Sequence, residues 1–176
     1  MSDSHNLIEL ISESDISARI KEIGLDISSF YKNESVIVII VLNGAVIFAS
    51  DLIRALSIDC KLDSVKVSSY SGISSSGKIE FEKDLALDIN GKNILIVEDI
   101  IDTGNTISFL KEHIKMKNPK SIKITSLLMK PQSLNLPFDI DWVGFEISPE
   151  FVVGYGLDYN QEFRNLNAIF KLGEAI

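Results

Sequence analysis

The stretch Ile94-Leu-Ile-Val-Glu98-Asp99-Ile-Ile-Asp102-Thr103-Gly104-Asn105-Thr106 constrains this chain more than any other. Its continuous apolar opening suits a strand covered on both faces, as in a parallel sheet. Three carboxylates follow, Glu98, Asp99 and Asp102, and then a turn of small residues. Beyond the turn, Ile107, Leu110 and Ile114 recur at helical spacing, which predicts a helix over about 107–117. A turn that feeds a helix N-terminus presents unpaired backbone N–H groups and the positive end of the dipole, so it can cradle an anion such as phosphate. The hydroxyls of Thr103 and Thr106 add donors. Carboxylates repel phosphate, so these three serve something else: sugar hydroxyls, a bound Mg²⁺ or a proton on a substrate. Neither Gly-x-x-x-x-Gly-Lys-[Ser/Thr] nor Gly-x-Gly-x-x-Gly occurs, which excludes the two commonest nucleotide fingerprints.

With 176 residues and 45% hydrophobic content, a single domain with an ample core is the simplest expectation. The net charge of −8 argues against broad contact with nucleic acid or an anionic membrane, but not against a small phosphorylated ligand held at a local positive site. No apolar run reaches the length of a membrane span, and Met1–Leu10 lacks the pattern of a secretory leader, so a cytoplasmic location is expected. The lone Cys60 excludes an internal disulfide framework and a Cys-rich metal cluster, and reads as a core thiol.

Along the chain, Ser12 with Asp15 resembles a helix start, Ile16, Ile20 and Ile23 line one face, and Gly24 fits the C′ position, with a second short helix up to Tyr31. Val36–Leu42 reads as a strand, Asn43-Gly44-Ala45 as a tight turn, and Val46, Ile47, Ala49, Leu52, Ile53 and Leu56 as a helical face. With a further strand over Ile58–Val67 these form a βαβ unit. Ser68–Gly77 is small and polar and reads as a linker or a mobile lid, and Lys78–Glu82 alternates like one arm of a hairpin. Ser121–Met129 reads as a strand. Lys130 at its end is a solvated lysine on the bare residues, yet it stands where open α/β sheets place ligands. Phe151 and Trp142 read as core aromatics, and His5 and His113 do not look catalytic.

The run from Glu98 to Thr106 (two acidic residues, two apolar, Asp-Thr-Gly, one variable, Thr) resembles the phosphoribosyl-diphosphate (PRPP) motif of type I phosphoribosyltransferases. The form is that of the hypoxanthine-guanine enzymes. Phe151-Val-Val-Gly-Tyr-Gly-Leu-Asp158-Tyr followed by Phe163-Arg164-Asn-Leu is similar to the purine-binding hood of the same family, and Leu42-Asn43-Gly44-Ala45 falls where that family has its pyrophosphate loop.

The resemblance implies an α/β fold with a central, mostly parallel twisted sheet flanked by helices. The core would span about 30–135, with a small hood from about 1–20 and 136–176. It implies purine salvage, in which PRPP and hypoxanthine, and also guanine, give IMP (GMP) and pyrophosphate. The alternatives are a PRPP-binding regulatory protein and a xanthine-preferring relative. By resemblance, Asp102 is the catalytic base, and Glu98, Asp99, Asp102, Thr103, Gly104, Asn105 and Thr106 hold the phosphoribosyl group. Asn43, Gly44 and Arg164 hold pyrophosphate, and Ser69 and Tyr70 belong to the lid. Lys130, Phe151 and Val152 bind the purine, and Asp158, Glu98 and Asp99 serve Mg²⁺. The family's pyrophosphate loop often contains a non-proline cis peptide and commonly carries Lys or Arg where this chain has Asn43, so backbone donors survive here and a side-chain charge does not. The family forms homodimers and homotetramers.

Overall fold

The computed structural model describes residues 6–70 and 78–173. Six strands form the main sheet: β2 (Val36–Leu42), β3 (Cys60–Tyr70), β4 (Lys78–Lys83), β5 (Asn93–Ile101), β6 (Ser121–Met129) and β7 (Trp142–Glu146). Their order is β4-β3-β2-β5-β6-β7, parallel throughout except for β4, which pairs antiparallel with β3. A second sheet joins the two ends of the chain: β1 (Leu7–Ile11), β9 (Ile169–Leu172) and β8 (Val152–Val153), all antiparallel. The helices are α1 (Glu13–Tyr31), α2 (Val46–Ala55) and α3 (Asn105–Lys115).

The inner strands are buried on both faces, and their side chains divide by the two-residue period of a strand. Val36 and Val38 of β2, with Leu95 and Val97 of β5, enter the core beneath α1 and α2. Ile37, Ile39, Val41, Ile94 and Ile96 enter the opposite core beneath α3, with Ile107, Leu110 and Ile114. The chain leaves β2 through α2 to reach β3 on one side, and later returns to place β5 on the other side of β2. The crevice beyond the C-terminal ends of β2 and β5 is therefore a topological switch point, where open α/β sheets bind ligands.

The predicted strand Val36–Leu42 and the Ser12 cap appear as expected. Ser12 is the N-cap of α1, and its hydroxyl accepts from the Asp15 amide. Gly24 does not end a helix. It lies inside the continuous α1, on the same stripe as Ile16, Ile20, Ile27 and Tyr31, where a Cβ would lie 2.7 Å from Cβ of Ala55. Its missing side chain lets α1 and α2 approach, a packing reason that outweighs its role as a stop signal. On α2, the buried residues are Phe48, Ala49 and Leu52, whereas Val46 and Ile47 of the predicted apolar face stand exposed. Helix α3 begins at Asn105, two residues earlier than its apolar spacing indicates. The backbone of Ser69 and Tyr70 continues β3, paired with Ile79 and Lys78, rather than lying in a loop. The rest of the predicted lid, and His5, lie outside the described residues. His113 is half-buried, its ring tilted against Phe81 at 4.4 Å and its Nε2 2.9 Å from Asp84 Oδ1. No helix among the described residues is long and apolar enough to cross a membrane.

Gly24→Val should lower the unfolding free energy by about 2 kcal/mol or more, because the added methyl groups must displace the Ala55 backbone. Urea denaturation measures this; a variant as stable as the parent would refute the close-packing role.

Candidate active site

The parallel register pairs Ile101 of β5 with Met129 of β6, so the next residue on each strand, Asp102 and Lys130, emerges at the same edge. Lys130 Nζ donates to Asp102 Oδ2 at 2.8 Å, and the Lys130 amide donates to Ile101 O at 2.9 Å. Lys130 is only 8% exposed, which rules out a simple solvated lysine, whereas the Asp102 side chain is 47% exposed. The buried ammonium is thus paired with a half-exposed carboxylate.

Beyond Asp102 the chain turns through Thr103 and Gly104 into α3. Gly104 is the N-cap at φ 87°, a conformation glycine adopts freely, and no side chain caps the helix there. A Cβ at this position would collide with the Leu136 side chain that packs over the turn. The first amides of α3 have no helical acceptors; that of Asn105 makes a long 3.5 Å bond to Thr103 Oγ1, and the amides that follow it are open to a ligand. The turn lines a cleft of about 110 Å³, bounded by Glu98, Ile100–Ile107 and the Thr103 and Thr106 side chains.

A second cleft, of about 310 Å³, is lined by Leu42, Asn43, Gly44, Glu98, Asp99, Thr106, Asp158 and Arg164, among others. It brings together the loop after β2, the carboxylates of β5 and the segment after β8. The Leu42–Asn43 peptide is cis. The Ala45 amide is used internally by Val41 O at 3.2 Å, so the loop donors that remain are those of Asn43 and Gly44. Any side chain at Gly44 would collide with the carboxylate of Asp99. Glycine there lets the loop backbone lie against the acid.

Glu98 and Asp99 lie within β5 itself rather than in the turn. Burial pushes the Glu98 carboxyl well above the usual carboxylate range, and the neighbouring Asp99 charge pushes it further. Burial also raises Asp99, opposed by hydrogen bonds to Glu98 and the Ile100 amide and by the charge of Arg164. The pair holds a proton more tightly than two separate carboxylates would. Arg164 donates to Gly156 O at 2.7 Å and to Gln161 Oε1 at 3.1 Å, and lies 2.6 Å from Asp158 Oδ1. Among the described residues no three His, Cys, Asp or Glu side chains converge on one ion position.

Val152 is buried in β8, its backbone registered with Lys171 of β9. Phe151 beside it is 55% exposed, so it is not a core aromatic. Its ring meets Tyr159 edge-on at 5.8 Å. Trp142 is partly buried against the core. Sequence reasoning missed Gly156, at φ 101°, where a Cβ would strike Gly44 O. The Gly154-Tyr-Gly156 spacing was its only visible signal.

The family model for the phosphoribosyl transferase domain matches residues 11–160. The chain belongs to the phosphoribosyl transferase family. It is 43% identical over 171 residues to the hypoxanthine phosphoribosyltransferase of Buchnera aphidicola subsp. Schizaphis graminum, covering 96% of this chain and 97% of that one. It is 41% identical to the Haemophilus influenzae enzyme of the same name, with 96% of each chain covered. Among solved structures, a hypoxanthine-guanine phosphoribosyltransferase of Bacillus anthracis, with a HEPES molecule in its active site, superposes with a TM-score of 0.90. Its identity is 41%, over 94% of this chain and 98% of that one.

A carboxyl whose pKa is raised on folding binds its proton more tightly in the folded chain. Its contribution to stability is therefore full below the unfolded value and falls as pH rises through the raised value. Glu98→Gln keeps the donor and removes the charge, so it should melt higher than the parent at pH 8, with the difference shrinking toward pH 4. Each kcal/mol relieved should appear as roughly 2–4 °C in Tm. Calorimetric scans across that range check this; a variant melting no higher than the parent at pH 8 contradicts it.

Proposed function

We propose that this chain transfers the 5-phosphoribosyl group of PRPP to hypoxanthine and guanine, releasing pyrophosphate and giving the nucleoside 5′-monophosphate. The 2.8 Å Lys130–Asp102 pair carries this reading. A 6-oxopurine presents an acceptor, O6, beside N7–H, a donor, on one edge. An ammonium beside a carboxylate is the complement of that edge. Adenine presents an amino group instead of O6 and would set donor against donor. Phe151, exposed, offers a face for the flat base, and the neighbouring Val152 backbone is assigned to the purine edge.

In the reaction, N9 attacks C1′, the C1′–O bond to pyrophosphate breaks with its electron pair leaving on oxygen, and the purine proton passes from N7 to Asp102. The amides and hydroxyls of Thr103–Thr106 hold the 5′-phosphate, a remote anchor whose binding energy orients C1′. Glu98 and Asp99 face the ribose hydroxyls. Arg164 and the amides of Asn43 and Gly44 receive the charge that develops on the leaving diphosphate.

The donor set also fits Mg²⁺. Glu98, Asp99 and Asp158 supply hard oxygens to one cleft, Asp99 is held against a side-chain-free backbone at Gly44, and Mg²⁺ needs only one or two carboxylates besides phosphates and water. When bound, the ion would offset the negative charge of the diphosphate. Ser69 and Tyr70, whose backbone ends β3, are assigned by this reading to shielding the site from water. The acidic chain works in the cytoplasm as a homodimer or homotetramer, which light scattering distinguishes.

A coupled assay with hypoxanthine, guanine, xanthine and adenine tests the assignment. Turnover of hypoxanthine and guanine but not adenine is expected; absence of turnover with any 6-oxopurine overturns it. Asp102→Asn should lower kcat about a hundredfold or more with little change in the KM for PRPP. Lys130→Ala should raise the purine KM by about tenfold or more. A defect confined to PRPP in the Lys130 variant would misplace the base.

A further inference from the structure

A cavity of about 440 Å³ shares no lining residue with the two clefts of the site. It opens between α1, α2 and the segment after β8, with Glu13, Ile16, Ile20, Asp51, Arg54 and Tyr155 on its walls. On that wall the Tyr155 hydroxyl donates to Asp51 Oδ2, joining α2 to the β8–β9 segment. The Tyr155 ring also belongs to the core cluster that holds Phe48, Ala49 and Leu52 of α2, so the bond adds a directional polar link to an apolar contact.

Its two ends lead to opposite sides of the diphosphate cleft. Asp51 stands on α2, which begins at Val46 directly after the Asn43–Ala45 loop. Tyr155 lies between Gly154 and Gly156 in a tight turn of left-handed residues, with φ values of 97°, 50° and 101°. That turn is bonded to the Arg164 region from both directions: the Tyr155 amide donates to Leu166 O at 2.8 Å, the Gly156 amide donates to Arg164 O at 3.0 Å, and the Arg164 guanidinium donates to Gly156 O. Gly156 then abuts Gly44 O, and Gly44 abuts Asp99. An L-residue held at φ 50° with a 6% exposed ring needs a reason to stay there, and the Asp51 carboxylate supplies one.

We infer that Tyr155 and Asp51 are positioning residues for the diphosphate: their hydrogen bond fixes the distance between the Asn43–Gly44 amides and Arg164. Burial and the Asp51 carboxylate push the Tyr155 phenol far above its ordinary range, so it remains a donor wherever the enzyme is folded. On the purine side, Val152 and Val153 have their own pairing to Lys171 and Phe170 of β9, which is expected to spare the purine contact. The inference rests on the proposed assignment of the cleft to diphosphate, and its test uses a readout that does not need turnover.

The experiment is calorimetric titration of the full chain with inorganic pyrophosphate and Mg²⁺, alongside the KM values for PRPP and hypoxanthine. Tyr155→Phe and Asp51→Ala should each weaken pyrophosphate binding by about fivefold, the worth of one hydrogen bond. The double variant should be no weaker than either single one. Asp51→Asn, which keeps an acceptor, should bind within twofold of the parent, and the hypoxanthine KM should stay unchanged in all. Pyrophosphate affinity within twofold of the parent in Tyr155→Phe, additive losses in the double variant, or a purine KM rising in step with that of PRPP would each overturn the inference. Failure of the parent to turn over hypoxanthine, with pyrophosphate binding intact, would instead count against the assigned reaction.

Discussion

Lys130 and Asp102 meet because two neighbouring parallel strands end together, and most of the chemistry proposed for this chain depends on that register. A shift of one residue between β5 and β6 would exchange Ile101 for Asp102 in the core and turn Lys130 to the other face. The register is held in turn by a double-faced apolar core, with Ile94 and Ile96 on one side and Leu95 and Val97 on the other. The site is thus an extension of the same packing that makes the sheet, and the buried Lys130 is offset by the half-exposed carboxylate of Asp102.

Beside them, the fold accepts a clear liability. Glu98 and Asp99 are adjacent acids on an inner strand, and burial and mutual repulsion both resist their ionisation. Arg164 offsets part of that charge, while itself pairing with Asp158. A site prepared in this way gains when a cation or a row of sugar hydroxyls arrives, which is the usual relation between a strained polar cluster and the ligand it serves. The glycines at 44 and 156 contribute by absence: each lets backbone lie where any side chain would collide.

The strands and the phosphate turn were legible in the sequence because they are local patterns. Val36–Leu42 is a run of apolar residues with a turn after it, and Asp102–Thr106 combines residue types whose chemistry is plain at short range. Gly24 was misread because local rules assign an isolated glycine to a helix end, whereas its reason lies across the interface at Ala55. Phe151 looked like a core residue for a similar cause: apolarity alone does not say which face a short strand buries. The Tyr155–Asp51 bond joins residues more than a hundred positions apart, and nothing in either neighbourhood announces the partner. Family resemblance implied only a hood built from both chain ends, and the β1–β9 pairing was not read from the sequence, because it joins short segments far apart in the chain.

The phosphate grip at the β5–α3 turn is the claim on which the placement of every other ligand group rests. It is tested most directly by following the backbone amide resonances of Thr103, Gly104, Asn105 and Thr106 while titrating with inosine 5′-monophosphate and, separately, with inosine. The account predicts large, saturable shifts of these amides with the monophosphate and little change with the nucleoside. Equal responses to the two, or shifts confined to residues away from this turn, would contradict it.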